Sequence, residues 1–94
     1  MNKKDKMYLI KEVMREAYAE LVFGFLRYFR ENNIDKNDIN NPIVKIFNIT
    51  LDIYKNIYSL RYNTLEAMIE VQGQYKLIKQ WFTLLEKSDG YGKK

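Results

Sequence analysis

The sequence predicts an all-α protein, and three observations carry that expectation. Apolar residues recur three and four apart over two long stretches, and a single polar break separates those stretches. Pro and Gly are scarce, one and four respectively in 94 residues. An all-β chain needs many turns and the residues that make them. The length allows one domain, spanning 1–94.

The first periodic stretch predicts a helix over about 5–32, preceded by a flexible basic start at 1–5. Met7, Ile10, Met14, Ala17, Leu21, Gly24 and Tyr28 fall on one helical face, widened by Val13 and Phe25. Glu12, Glu16 and Glu20 lie on the far side, with Arg27 and Arg30 later, the order that the helix dipole favours. The run Leu21-Val22-Phe23-Gly24-Phe25-Leu26 is apolar almost all round, which predicts neighbours on more than one side.

The break covers 33–41. Its Asn and Asp residues bond their own backbone and favour turns, while Pro42 suits a first helical position with Asn41 as cap. Ile34 and Ile39 are expected to tack this loop onto the bundle.

The second stretch reads as heptads. With Phe47 at position a, the a residues are Phe47, Tyr54, Arg61, Met68, Tyr75 and Phe82. The d residues are Ile43, Thr50, Ile57, Thr64, Val71, Ile78 and Leu85; ten of the thirteen are apolar, where composition alone gives about six. The f position carries no apolar residue, and Gly73 falls there, where no packing is lost. Arg61-Tyr62-Asn63-Thr64 is a polar patch in the seam, and Asn63 with Glu66 could form a capping box. Register kept on both sides favours one continuous helix over about 42–87, with Gly90 ending it and a flexible tail at 88–94. The alternative is a three-helix bundle with a break near 61–64.

A continuous helix has a consequence for assembly. It spans roughly 69 Å against roughly 39 Å for the first helix, so a hairpin leaves the far end uncovered. That end carries Met68, Val71, Tyr75, Ile78, Trp81, Phe82 and Leu85. The expectation is a dimeric or higher bundle of hairpins in which these residues form a self-association or partner interface. Apolar Leu51, Ile53, Tyr58, Leu60, Leu65 and Ala67 at e and g agree, because a two-stranded coiled coil carries charges there. In such a hairpin Arg61 falls opposite residue 13, where Glu12 or Glu16 could pair with it.

Composition also bounds function. With no His and no Cys there is no triad, no thiolate nucleophile and no imidazole-held metal, so neither enzyme, metal site nor cofactor is expected. The outward glutamates read as a solvated face. The net charge of +4 is spread, with a surplus of two in each of 1–32 and 42–87. A dedicated nucleic-acid binder concentrates its charge. Even so, Tyr54, Tyr58 and Tyr62 run four apart beside Lys55 and Arg61, so Lys55, Tyr58, Arg61 and Tyr62 are the candidate nucleic-acid contacts. No apolar run approaches the ~20 residues of a membrane span. The functional expectation is a cytoplasmic, non-enzymatic protein-interaction or assembly protein acting as a homo-oligomer with a protein partner. Its alternative is a small basic nucleic-acid accessory protein.

Overall fold

In a computed structural model, which describes residues 2–92, the chain is a bundle of three helices. They are α1 (Lys3–Glu31), α2 (Pro42–Asn56) and α3 (Leu65–Gly92), with one 3-10 turn at Leu60–Tyr62 before α3. The all-α expectation holds. The continuous helix over 42–87 does not, and the three-helix alternative takes its place.

Each helix end has a local chemical cause. Asn2 Oδ1 accepts from the Asp5 amide at 2.9 Å, starting α1 two residues earlier than its periodicity indicated. At the other end the Asn32 amide and side chain both donate to the Tyr28 carbonyl. Asn33 then takes a left-handed φ of 54°, a conformation Asn tolerates, and the Ile34 amide returns to the Phe29 carbonyl at 2.9 Å. Asn41 caps α2 as expected, its Oδ1 accepting from the Ile43 amide at 2.8 Å. Ile34 packs on the core, whereas Ile39 stands 68% exposed and tacks nothing down.

The break after α2 explains why the single-helix reading failed. Ser59 directs both its amide and its hydroxyl at the Asn56 carbonyl, at 3.0 and 2.7 Å, and so takes the acceptor that helix continuation would use. Thr64 caps α3, its Oγ1 accepting from the Ala67 amide at 3.1 Å, one residue beyond the anticipated Asn63 cap. Two of the three polar seam residues, Arg61 and Thr64, therefore lie in the connector and are exposed. The third, Thr50, is fully buried and returns its hydroxyl to the Ile46 carbonyl at 2.8 Å. Register was preserved across the break because α2 and α3 both bury their a and d faces on the same helix, α1.

That arrangement covers the strip assigned to self-association. Met68, Val71 and Phe82 are almost wholly buried within the chain, and Tyr75, Ile78, Trp81 and Leu85 pack partly buried against them. These seven residues belong to the chain's own core, because α3 turns back along α1 and needs no second copy to cover it. Near one end of the core Phe25 lies against Phe29, Phe47, Trp81 and Phe82, with the Phe82 ring centroid only 4.5 Å away. Gly24 permits that closeness: a Cβ on it would lie 3.2 Å from Phe82 Cε2. The other end holds Met14, Tyr18, Ile53, Ile57, Met68 and Val71.

Helix α3 continues to Gly92, so Gly90 does not end it. Residue 1 of the basic start and residues 93 and 94 of the anticipated tail lie outside the described residues. Gly73 meets nothing within 4 Å of a built Cβ. Gly73→Ala is therefore expected to raise stability by about 1 kcal/mol through helix propensity alone, visible as a higher midpoint in thermal denaturation.

Candidate functional site

Once the core is accounted for, α1 is left with an unusual outward face. Leu9, Val13, Glu16, Glu20 and Phe23 follow one another at steps of four, three, four and three, the spacing of a single helical stripe. All five are exposed, Leu9 by 49%, Val13 by 60% and Phe23 by 69%. The stripe is thus apolar at both ends and acidic in the middle. Beside its first end, Leu9, Ile10, Val13, Met14 and Gln72 line an open cleft of about 180 Å³ between α1 and α3. A lone exposed leucine is ordinary on a protein surface, but an exposed Phe aligned with two further apolar residues is the material of a binding face.

The edge of this face is fixed by the connector between α2 and α3. The Tyr58 hydroxyl donates to Glu12 Oε1, and Lys11 Nζ sits 5.8 Å from the centre of the Tyr58 ring. Lys11 is itself nearly buried and donates to Asn63 Oδ1 at 3.4 Å. Its stem packs while its ammonium finds the ring face and an amide oxygen, which offsets its burial. The hydrogen bond to the Glu12 carboxylate raises the pKa of the Tyr58 phenol, opposed by Arg15.

The candidate nucleic-acid residues do not assemble as the sequence suggested. The four-residue spacing of Tyr54, Tyr58 and Tyr62 makes a ladder only on an unbroken helix, and α2 stops at Asn56. Tyr54 packs against the core, Tyr58 is engaged by Glu12, and Tyr62 carries the Arg61 guanidinium 5.7 Å from its ring centre. Arg61 pairs with Asp52 at 3.8 Å rather than with Glu12 or Glu16, and Lys55 stands exposed. Among the described residues no group of three potential ligands could hold a metal ion, and no helix is long and apolar enough to cross a membrane.

What sequence reasoning missed is the α1 face. Leu9 was not singled out there, Val13 was counted with the core stripe but is exposed, and Phe23 entered only as part of the apolar run 21–26. Their three-and-four stepping through Glu16 and Glu20 was the available signal.

The model of the bacterial epsilon antitoxin family matches residues 4–85. The chain belongs to that family. The match runs through all three helices, from the start of α1 to the point where α3 leaves the core. Epsilon antitoxins are generally non-enzymatic and act through protein–protein contact with a partner toxin. No curated protein and no solved structure matches the chain.

Proposed function

We propose that this chain is a non-enzymatic antitoxin that binds its partner toxin through the outward face of α1. The observation that carries the reading is the stripe Leu9, Val13, Glu16, Glu20 and Phe23, apolar at its ends and acidic between, on a chain of net charge +4. A partner complementary to it offers two apolar depressions with cationic side chains between them. The apolar contacts supply affinity, and the charge contacts set register and speed of encounter. Leu77 and Leu84, seven apart and exposed on α3, leave room in this reading for a homo-oligomer as well. The nucleic-acid alternative has weaker support, since its tyrosine ladder is dispersed.

Phe23 gives the direct test. Because it is largely exposed and outside both core clusters, Phe23→Ala should leave the melt unchanged. Titration of the cognate toxin into the variant, followed calorimetrically, should show affinity lowered at least about tenfold, as for a truncated aromatic anchor. Wild-type affinity in Phe23→Ala and Val13→Asp alike would place the toxin surface elsewhere.

A further inference from the structure

We infer that the toxin-binding surface does not end at α1 but extends over the connector, where Tyr58 is a positioning residue that holds the Glu12 carboxylate ready for a cationic side chain of the toxin. This rests on the reading of α1 as the toxin-binding face.

Three observations support it. Glu12 lies one helical turn before Glu16 and two before Glu20, so it continues the acidic middle of the face toward the connector. Unlike those two it is half-buried, and one of its oxygens accepts the Tyr58 hydroxyl. The other oxygen has no hydrogen-bond partner among the described residues and is the one available to a partner. Tyr58 is in turn 49% exposed, so a protein seated on the acidic stripe meets its ring as well.

The position of Tyr58 is determined from two sides, by the Glu12 carboxylate at its hydroxyl and by Lys11 at its ring. The Lys11 ammonium lies over its ring, and the same ammonium bonds Asn63 five residues further along the connector. A free glutamate on a helix surface samples many rotamers and loses that freedom on binding. A glutamate already hydrogen-bonded has lost part of it before the partner arrives, which is preorganisation in its simplest form. The partner chemistry this fits is a Lys or Arg side chain approaching Glu12 between its own contacts with Glu16 and the Tyr58 ring edge.

The test is a double-mutant cycle on the full chain with the cognate toxin, using Tyr58→Phe, Glu12→Gln and the pair. Tyr58→Phe keeps the ring beneath Lys11 and removes only the hydroxyl. Each single change should weaken toxin binding at least about tenfold, the scale of a hydrogen bond to a charged group. The pair should be no weaker than the worse single variant, since both remove one coupled unit. Melting temperatures should stay at the wild-type value, which separates positioning from a structural role. Unchanged affinity in Tyr58→Phe overturns the inference, as do effects that multiply in the pair. If Phe23→Ala still loses affinity in that case, the α1 reading stands without the connector; if Phe23→Ala and Val13→Asp both bind normally too, the reading has failed with it.

Discussion

Phe25→Ala is expected to cost about 3–5 kcal/mol of stability, the range for truncating a buried phenylalanine. Phe25 has no exposed surface and its ring meets rings from all three helices: Phe29 of α1, Phe47 of α2, and Trp81 and Phe82 of α3. Its removal leaves a void that no single neighbour can fill, because each of those rings is held by its own helix. Close-packed interiors relax only partly around such a void. For a chain of this size the loss consumes much of the usual total stability of about 5–15 kcal/mol. Chemical denaturation followed by circular dichroism will report it as a lower midpoint at constant slope. A change below about 1 kcal/mol would mean that the aromatic cluster is not the centre of the core.

Tyr18 carries the second large effect, and it has a pH signature. The ring is fully buried, lies edge-on to Tyr75 with centroids 5.5 Å apart, and its hydroxyl donates to the Val71 carbonyl at 2.8 Å. Tyr18→Ala should cost about 3–5 kcal/mol through the cavity. Tyr18→Phe should cost only about 0.5–1.5 kcal/mol, the net worth of one hydrogen bond. Burial raises the Tyr18 pKa well above its ordinary 10.0, and the neighbouring Tyr62 and Tyr75 add to the rise. The folded state therefore keeps this proton when the unfolded chain releases it. The contribution is fully present below pH 10.0 and declines as pH climbs from there toward the raised value. The decline amounts to about 1.4 kcal/mol per pH unit. Tyr18→Phe lacks it, so the gap between the two proteins should narrow and then invert as denaturation is repeated at rising alkaline pH. Parallel pH profiles would show that Tyr18 ionises freely in the folded chain.

How much of this was legible in the sequence depended on the range of the interaction that decides it. The helical class, the break at 33–41 and the Asn41 cap are local, and periodicity and turn chemistry revealed them. The core faces were legible as well, since the a and d residues of the second stretch are buried or half-buried apart from the connector. Whether two faces in register belong to one helix or two was not legible by that means, because Ser59 and Asn56 close the helix through hydrogen bonds that leave no trace in apolar spacing. The expectation of an uncovered strip followed directly: a straight helix leaves Met68, Val71 and Phe82 bare, whereas a folded one buries them. The face of α1 proposed for the partner was harder, since an exposed Leu9 or Phe23 takes on meaning only after the core has claimed its own residues. Glu12 and Tyr58 are 46 residues apart, and no spacing rule links them.

That α2 and α3 each seat on α1 far more than on each other bears on how the chain comes to be folded. The α1–α2 pairing closes a loop of ten residues, whereas α3 docks through contacts such as Tyr18 to Val71, 53 residues apart. Short loops close at lower entropic cost, so the α1–α2 hairpin is favoured to form early and α3 to arrive last. During synthesis Met14, Tyr18 and Phe25 remain bare of Met68, Val71 and Phe82 until the final third of the chain has left the ribosome. A chain that stops before Leu65 thus presents a hydrophobic half-core to the cell instead of an antitoxin, with the fate of any nascent chain that cannot bury its apolar surface.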